Sequence, residues 1–393
     1  MIKKVKLGDI CEVRGGYAFK SIDFQKQGIP VIRISNISDN SVLLDDKTVF
    51  VDSVSQDMLQ KYSIHKGDIL VALSGATTGK FGIYEEDTEA LLNQRVAKLI
   101  PSNLINNLYL YYYLNTLRSI ILQRAMGVAQ PNISPKEIED MIIFLPLLET
   151  QIKIAQILDQ ARRLIDKRKE QIALLDDLIQ SVFYDMFGDP GLNSKEWECG
   201  RISDIIVKTQ YGTSTKANEN EGEYAVLRMN NITYRGNWDL RALKYIDLDE
   251  KDRKKYLVYK GEVLFNRTNS KELVGKTAVY KREEPMAYAG YLVKAIPNNR
   301  ANGQFIASYM NTKYIKSLLF NMAKNIVGMA NINAEEFKSI KVYIPPIELQ
   351  NHFAEMVENI EKQKELLNKS LAELETNFNS LMQRAFRGEL VAE

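Results

Sequence analysis

The 393-residue chain contains only two cysteines and two histidines. Cys11 and Cys199 lack CxxC spacing, which argues against a disulfide framework and against a thiolate metal site. We therefore expect both to be small buried apolar residues. His65 and His352 leave little room for a histidine-ligated metal or for a catalytic triad built on histidine.

Long hydrophobic runs are also missing from the sequence. No apolar stretch reaches the roughly 20 residues that a membrane helix needs, and no signal-like run follows the charged start MIKKVKLGDIC. We expect a cytoplasmic protein without a membrane partner. The length predicts two or three domains, and the 45% hydrophobic content is enough for real cores.

The stretch SGATTGK, residues 74–80, has some features of a phosphate-binding loop but does not meet its requirements. Such a loop has the form GxxxxGK followed by Ser or Thr, whereas here the first Gly is one residue too close and Phe81 follows Lys80. The sequence also has no amino-methyltransferase tetrapeptide of the DPPY or NPPY kind, and no defensible carboxylate and lysine cluster of a nuclease. These absences favour a recognition protein over an enzyme.

Internal repetition spans the entire chain, with a period close to 199 residues. The repeat places Arg33 over Arg228 and Asn36 over Asn231. The aligned segments are 28–37 with 222–232, 66–84 with 260–280, and 130–151 with 329–350.

The glycine-rich loop itself changes between the two copies. The second copy has NRTNSKELVGKT, which keeps the Gly-Lys pair and loses the rest. A persistent backbone pattern around a variable loop suits a recognition surface. The simpler alternative is that Gly79 and Gly275 only allow a tight turn between strands.

Each copy ends in a long helical pattern. Apolar residues step by four and three over many turns, which predicts a coiled-coil seam whose partner is the other copy. The seam residues are Ile154, Leu158, Ile165, Ile172, Leu175, Ile179, and then Phe353, Val357, Ile360, Leu367, Leu371, Leu374 and Phe378. The alternative is a pair of ordinary amphipathic core helices.

The predicted fold class is α+β. Short β-rich runs such as PVIRI and DILVAL precede a late helical segment in each copy, without regular βαβ alternation. We predict two duplicated mixed α/β domains, separated by two long antiparallel coiled-coil helices with pseudo-twofold symmetry. The predicted boundaries are 1–148 for the first domain, 149–188 for the first helix, 189–347 for the second domain, and 348–393 for the second helix with its tail.

Charge is distributed unevenly along the chain. The net charge is 0 over residues 1–148, −2 over 149–193, +8 over 194–347 and −4 over 348–393. The second domain is therefore basic, and it is rich in Tyr, Asn and Arg. Such a surface suits nucleic acid, because Lys and Arg bind phosphates while Asn, Gln and Arg bind base edges.

Several segments, in this order, carry a resemblance to a known family: VKLGDICEV, KGDILVALSGATTGK, QPNIS with LPLLETQ, SVFYDMFGDPGLNSKEWE, IPPIELQ and QRAFRGEL. Over nearly all its length the chain resembles the DNA-specificity subunit of Type I restriction-modification systems. The resemblance implies two target-recognition domains, each contacting one half of a split double-stranded DNA target, with the paired helices as a spacer.

The resemblance also implies that the chain is a non-catalytic subunit without a cofactor of its own. Two adenine-N6 methyltransferase subunits would bring S-adenosylmethionine. Two restriction-translocase subunits, where present, would bring ATP and Mg. The competing interpretation is a duplicated coiled-coil scaffold that binds only proteins and has no DNA specificity.

Comparing the two copies sorts the candidate DNA-binding residues. Positions shared by both copies are predicted to contact phosphates or to hold the framework: Arg33, Asn36, Lys80, Arg228, Asn231 and Lys276. Positions in loops that differ are predicted to contact bases: Tyr17, Lys20, Thr77, Thr78, Gln94, Arg95, Tyr211, Thr213, Lys216, Arg267, Asn269 and Lys271. For Arg95 and Arg267 the alternative is a surface ion pair or a phosphate contact.

Overall fold

The computed structural model describes residues 3–38, 40–125, 131–326 and 329–390. Two compact units divide the chain: the first unit is residues 1–167 with 370–393, and the second unit is residues 168–369. Gln130 of the QPNIS segment and residues 391–393 of the predicted tail lie outside the described residues. Over the described ranges, no helix is both long and apolar enough to cross a membrane.

The first unit is a mixed α/β fold. Its strands are β1 (Lys3–Lys6), β2 (Cys11–Gly15), β3 (Ile29–Ile32), β4 (Asn40–Val42), β5 (Val49–Val51), β6 (Ser63–Ile64), β7 (Ile69–Ala72), β8 (Phe81–Tyr84), β9 (Ala90–Leu92), β10 (Val96–Pro101) and β11 (Ile142–Leu145). Its helices are α1 (Gln56–Tyr62), α2 (Asn107–Ala125), α3 (Pro135–Glu139) and the first half of α4 (Leu148–Phe187). The strands form sheets in the orders β2-β10-β7-β8-β4, β5-β3-β9-β6 and β1-β11.

The second unit has nearly the same architecture. Its strands are β12 (Glu198–Arg201), β13 (Ile206–Tyr211), β14 (Tyr224–Leu227), β15 (Lys244–Ile246), β16 (Leu257–Val258), β17 (Val263–Asn266), β18 (Thr268–Asn269), β19 (Thr277–Val279), β20 (Met286–Tyr288), β21 (Leu292–Pro297), β22 (Lys324–Ile326), β23 (Met329–Asn331) and β24 (Lys341–Ile344). Its helices are α5 (Glu250–Tyr256), α6 (Gly303–Met310), α7 (Lys313–Met322), α8 (Ala334–Lys338) and the first part of α9 (Ile347–Phe386). The sheet orders are β13-β21-β17-β19, β15-β14-β20-β16, β18-β23-β22 and β12-β24.

Strand order and register repeat between the two units. The order β2-β10-β7-β8 corresponds to β13-β21-β17-β19, and β5-β3-β9-β6 corresponds to β15-β14-β20-β16. The central strands β7 and β17 are buried along their whole length, which is typical of strands covered on both faces. The short helices repeat their caps as well, because α3 and α8 both begin with a capping box, at Ser134 with Glu137 and at Asn333 with Glu336.

Both units make a glycine turn between the central strand and the next strand of its sheet, β8 in the first unit and β19 in the second. Gly79 and Gly275 have φ angles of +73° and +85°, a left-handed conformation that favours glycine. A Cβ atom on Gly275 would approach Leu319 Cδ1 to 2.4 Å, and one on Gly79 would approach Ile121 Cγ2 to 2.8 Å. The backbone angle and the lack of space both show that these glycines allow a turn here, as the simpler alternative supposed.

Both long helices contribute to the cores of both units. The first unit contains the beginning of α4 and the end of α9, and the second unit contains the end of α4 and the beginning of α9. In the first unit Ile154 and Leu158 of α4 share a buried cluster with Ala385 of α9. In the second unit the rings of Phe183 and Phe353 lie 5.6 Å apart. All the predicted seam residues are buried or half-buried.

One buried glutamine fixes the start of each long helix. Gln151 accepts a hydrogen bond from the Asn106 backbone N–H at 2.8 Å and donates to the carbonyls of Leu104 and Pro146. It is completely buried, so each of these bonds satisfies a polar group that water cannot reach.

Gln350 repeats this arrangement in the second unit. Its Oε1 accepts from the Asn302 N–H at 2.9 Å, and its Nε2 donates to the carbonyls of Arg300 and Pro345. The sequence shows the repeated LETQ and IELQ segments but not this role.

The expectation for the cysteines is half right. Cys11 is buried in the first core, and burial raises its pKa to about 12. Cys199 is exposed, so the expectation that both are buried is wrong. It lies on β12, whose two-stranded sheet with β24 leaves its neighbours Glu198 and Arg201 exposed as well.

Candidate nucleic-acid interface

An arginine and an asparagine, both predicted from the repeat, hold an equivalent loop in each unit. In the first unit the Arg33 backbone N–H donates to Asn36 Oδ1 at 3.0 Å. The Arg33 guanidinium then donates to the Lys47 carbonyl at 2.9 Å, and Asn36 Nδ2 donates to Thr48 Oγ1 at 2.9 Å. Asn36 is buried, so its amide stabilises the loop from inside.

The second unit repeats these bonds. The Arg228 N–H donates to Asn231 Oδ1 at 2.9 Å, and the Arg228 guanidinium donates to the Ala242 carbonyl at 2.8 Å. Each arginine thus spans the same distance along the chain, 14 residues. This geometry agrees with a framework role for the two pairs, while contact with phosphate stays a prediction.

The repeated lysines Lys80 and Lys276 differ in how deeply they are buried. Lys276 is buried, and its Nζ donates to the carbonyls of Met229 at 2.8 Å and Ile232 at 2.5 Å. Burial lowers the pKa of this ammonium group because a low-dielectric environment disfavours charge. Lys276 is therefore placed as a framework residue, and Lys80 is half-buried.

Four residues predicted to contact bases are exposed in the first unit. The Gln94 N–H donates to the Tyr17 carbonyl at 2.8 Å, which brings these two predicted residues together. Tyr17 is 41% exposed, and its ring packs against Phe19 with centroids 5.0 Å apart. Gln94, Arg95 and Lys20 are also exposed, so all four side chains are accessible to a ligand.

The second unit presents an arginine on an aromatic ring. The Arg267 guanidinium lies 5.0 Å from the centroid of the Tyr211 ring, a cation–π contact that restricts where the guanidinium can go. Its Nη2 donates to Asn331 Oδ1 at 3.2 Å, and Asn331 Nδ2 donates to Thr268 Oγ1 at 3.0 Å. Arg267 Nε is buried without a partner among the described residues.

Arg267 and Leu73 hold equivalent positions in the two units. The Leu73 N–H donates to the Arg95 carbonyl at 2.9 Å, and the Arg267 N–H donates to the Tyr291 carbonyl at 3.0 Å. The carbonyls of Leu73 and Arg267 then accept from Ile133 and Ile332, each at 2.9 Å. One backbone pattern thus carries an apolar side chain in the first unit and a cation in the second.

Three residues predicted to contact bases are buried instead: Thr78, Thr213 and Asn269. The Thr78 hydroxyl donates to the carbonyls of Gly75 at 2.7 Å and Pro131 at 3.1 Å. Thr213 Oγ1 accepts from the Thr215 N–H, and Asn269 Oδ1 accepts from the Ser270 N–H. Their polar groups shape the loops, and burial argues against direct contact with a base.

The remaining predicted residues are at least partly accessible. Thr77 is half-buried and donates to the Ile34 carbonyl at 3.3 Å. Lys271 is half-buried, with its Nζ 4.4 Å from the centroid of the Phe320 ring. Lys216 is exposed, as is Tyr211.

Two residues of this surface were not predicted from the sequence. Tyr291 is 48% exposed beside Arg267, and Asn331 holds the guanidinium. Asn132 occupies the position of Asn331 in the first unit, since bridges join Ser74 to Asn132 and Thr268 to Asn331. That shared asparagine was the signal that could have identified Asn331.

Over the described ranges, no group of three His, Cys, Asp or Glu side chains is placed to hold a metal ion.

A family model described as Type I restriction modification DNA specificity domain matches residues 2–175 and again residues 194–376. The chain belongs to this family of Type I restriction-modification DNA-specificity proteins. Each copy therefore carries one DNA-specificity domain. As a member of the family, the chain is a specificity component and not an enzyme in its own right.

Full-length relatives support this assignment. The chain is 24% identical to the Type I restriction enzyme EcoKI specificity subunit of Escherichia coli K12, over 93% of the chain and 83% of the relative. It is 23% identical to the EcoBI specificity subunit of Escherichia coli, over 99% of the chain and 86% of the relative.

Solved structures of this family share the fold. The S subunit of a Type I restriction-modification system from M. genitalium matches with a TM-score of 0.54 and 16% identity, over 98% of this chain and 96% of that one. A structure concerned with complex assembly and conformational transition of the type I R-M system matches with a TM-score of 0.58 and 15% identity, over 99% and 98%.

Proposed function

We propose that the chain recognises a bipartite DNA target, with one half-site bound by each specificity domain. The observation that carries this proposal is the pair of equivalent residues at the end of the central strand. The same backbone hydrogen bonds hold Leu73 in the first unit and Arg267 in the second. Two domains with one framework but different accessible side chains, Arg95 in the first and Arg267 with Tyr291 in the second, are suited to two different sequences.

In the second domain Arg267 is proposed to contact a guanine. A guanidinium donates two parallel hydrogen bonds to the O6 and N7 atoms of guanine, a contact worth about 1–3 kcal/mol of discrimination. Tyr211 and Asn331 hold the group before DNA arrives, which lowers the entropy cost of binding. Lys216 and Lys271 are proposed to add contacts from the neighbouring loops.

In the first domain Gln94 and Arg95 are proposed to contact bases, with Tyr17 beside them. Glutamine pairs with adenine and arginine with guanine through two hydrogen bonds each. Both side chains are exposed, and the Arg95 carbonyl accepts from the Leu73 N–H, which shortly precedes the turn that holds Thr77. Lys20 adds a positive charge.

The long helices are proposed to pair as an antiparallel coiled coil with pseudo-twofold symmetry, and so to set the spacer between half-sites. Within the second unit, the proximity of Phe183 to Phe353 and of Asp176 to Lys364 supports this pairing. One helix rises in number as the other falls, as antiparallel helices require. The domain boundaries 1–148, 149–188, 189–347 and 348–393 belong to this proposal.

The partners are proposed to be two adenine-N6 methyltransferase subunits in the cytoplasm, joined in a restriction complex by two translocase-nuclease subunits. S-adenosylmethionine, ATP and Mg would belong to those subunits. The exposed apolar residues Leu164, Leu174 and Leu178 of α4 and Leu366 of α9 offer surface for a protein partner.

The experiment is to map adenine methylation across the genome of a methylation-free host. The host would express the chain together with the methyltransferase encoded beside it. We expect a split motif, of which one half changes when residues 266–272 are replaced. A stable complex that leaves no motif would instead favour a protein-binding scaffold.

A further inference from the structure

Helix α7 has an apolar side and a basic side. Ile315 and Leu319 are completely buried in the core of the second unit. Lys313, Lys316 and Phe320 are spaced by three and four residues, so they share a second side of the helix. Lys313 and Phe320 are exposed there, and Lys316 is half-buried.

The lysines of α7 stand where a helix disfavours them. Its sequence, KYIKSLLFNM, has two lysines within the first four residues and no acidic residue. The N-terminal end of a helix carries a partial positive charge, so cations there destabilise the helix. Residues that oppose a local preference in this way are typical of functional surfaces.

Two exposed aromatic rings hold lysines on this side of the helix. The Lys316 Nζ lies 3.4 Å from the centroid of the Tyr234 ring and donates to the Tyr234 carbonyl. The Lys271 Nζ lies 4.4 Å from the centroid of the Phe320 ring. Tyr234 and Phe320 are 54% and 40% exposed, so these cation–π contacts keep the ammonium groups at the surface. Together with Lys313, these four residues form what we call the α7 surface.

The lysines of the α7 surface lack an anionic partner within the described part of the chain. Other lysines of the same unit form ion pairs, as Lys294 does with Glu262. Lys271, Lys313 and Lys316 form none with the residues that the structure describes. Their positive charge is therefore available to a ligand.

Lys316 lies among other cations. Burial and the positive charges of Lys276 and Arg235 lower its pKa to about 8. Arg235 is itself paired with Asp177 of α4. Because a nearby anion favours the charged form of an amine, a negatively charged ligand would stabilise the ammonium group of Lys316.

The α7 surface adjoins the surface proposed to bind bases. Lys271 belongs to the loop that begins at Arg267, after β17. Strand β22 follows α7 and pairs with β23, which pairs in turn with β18 of the same loop. A duplex bound at Arg267 is therefore expected to have flanking phosphates close to α7.

The first unit differs at these positions. Ile121 lies beside Gly79 as Leu319 lies beside Gly275, which aligns α2 with α7. The alignment places the following residues at the positions of Lys313, Lys316 and Phe320: Asn115, Arg118 and Leu122. One cation and the aromatic ring are thus missing from the first copy, in line with net charges of 0 over residues 1–148 and +8 over 194–347.

We propose that the α7 surface binds phosphate groups of the DNA backbone beside the second half-site, so that the second domain supplies more of the sequence-independent affinity than the first. Lys271, Lys313 and Lys316 contact phosphates of any sequence. The inference rests on the proposed function but concerns affinity and not base preference.

The test is the salt dependence of binding between the full-length chain and a fluorescent duplex of random sequence. A triple variant removes the three charges: Lys271→Gln, Lys313→Asn and Lys316→Gln. We expect it to bind at least about tenfold more weakly, and the slope of log K against log salt to become shallower by roughly 2–3.

A second triple variant is the matched control. It removes three exposed lysines elsewhere in the second unit: Lys195→Gln, Lys260→Gln and Lys341→Gln. The net charge changes equally, yet the salt slope should change by less than about 1, because these lysines are not proposed to contact phosphate. Thermal melting verifies the fold of both variants.

The pH dependence of binding singles out Lys316. A phosphate raises the lowered pKa of this amine, so binding takes up a proton, and affinity is greatest below about pH 8 and falls above it. Lys316→Arg introduces the residue found at Arg118 and stays charged. It should remove most of the fall between about pH 7 and 9.5 while keeping the salt slope. Any contribution from Lys276 is common to both proteins.

Four results would overturn the inference. One is an unchanged salt slope in the first triple variant, and another is an equal change in the control. The third is stronger competition by inorganic phosphate than by chloride at equal ionic strength, which would show a site for free phosphate. The fourth is loss of methyltransferase binding with DNA binding unchanged, which would show a site for an acidic protein segment.

Failure here is distinguishable from failure of the proposed function. Binding to a random duplex does not depend on a split target, so the salt slopes stand even where a methylation map shows no motif. A split motif together with unchanged slopes would refute the role of the α7 surface alone.

Discussion

The first and second units place their arginines on opposite members of one backbone pair. In the first unit Leu73 donates to the carbonyl of Arg95, and in the second Arg267 donates to the carbonyl of Tyr291. Neighbouring strands lie about 4.8 Å apart, so this exchange shifts the arginine sideways by one strand. A fixed framework can thus direct the same chemistry to a different part of the DNA.

What the two units share is mostly internal. Three features recur in both units and connect one part of the backbone to another. They are the hydrogen bonds from Arg33 and Arg228 to backbone carbonyls, the glycine turns, and the buried glutamines Gln151 and Gln350. Exposed side chains also differ, as with Arg95 in the first unit and Tyr291 at its counterpart in the second. This separation explains how one duplicated fold keeps its stability while its two surfaces diverge.

The units also share an ion pair that is buried to different depths. Lys294 contacts Glu262 at 3.1 Å with side chains 5% and 12% exposed, and Lys98 contacts Asp68 at 2.7 Å with side chains 17% and 22% exposed. Burial lowers the pKa of Lys294, while the nearby Glu262 opposes that shift. Removing the acidic partner in each unit therefore tests whether burial depth decides how much the ion pair stabilises the fold.

Glu262→Gln should give the largest loss of stability, about 3–5 kcal/mol, because it leaves a buried ammonium without its anion. Asp68→Asn should cost less, about 1 kcal/mol, since water screens the more exposed pair. Hydrogen exchange of β17 and β7 measures both free energies of opening. Equal losses of opening free energy in the two units would show that the depth of burial does not decide what the ion pair contributes.

Gln151→Ala and Gln350→Ala should each destabilise their own unit by about 1–3 kcal/mol. Both remove the partner of buried backbone groups, and both glutamines are completely buried. The free energy of unfolding by guanidinium, followed by hydrogen exchange in each unit, measures the two losses. The shared framework would be refuted by a large loss in one unit and none in the other.

The sequence predicted the shared internal framework better than the surface. The repeat, with a period close to 199 residues, predicted Arg33 and Asn36 in the first copy and Arg228 and Asn231 in the second. Internal contacts that both units share require the same residues in both copies. The long helices begin at Leu148 and Ile347, within one residue of the predicted starts, since the apolar period and the preceding proline define them.

The surface was less accessible to prediction from sequence. Thr78, Thr213 and Asn269 were predicted as base contacts from their residue type and loop position, yet they are buried. Residue type cannot tell which side of a turn faces solvent. The contact of Arg267 with Asn331 joins residues 64 apart, which no local pattern predicts.

Arg267→Ala should relax the preference for one base of the second half-site by about 1–3 kcal/mol, or roughly 5- to 150-fold. The first half-site should keep its preference because its side chains belong to the other unit. Selection of bound sequences from a randomised DNA pool, with the methyltransferase complex, measures this change. Uniform weakening on all sequences would show that Arg267 contacts phosphate instead.

Asn331→Ala should have a smaller effect at the same base, about 0.5–1.5 kcal/mol, because it removes one hydrogen bond that positions the guanidinium. The Tyr211 contact remains and limits the loss. The same selection experiment measures it, with Asn132→Ala as the control in the first unit. A larger effect than that of Arg267→Ala would contradict a positioning role.

The proposal that each unit recognises its own half-site is tested most directly by two methylation maps from a methylation-free host. One map uses Arg95→Ala and the other uses Arg267→Ala. We expect a split adenine-methylation motif in which each variant relaxes a different half and leaves the other unchanged. If both variants weakened the two halves equally, the two units would not recognise two half-sites independently, contrary to this proposal.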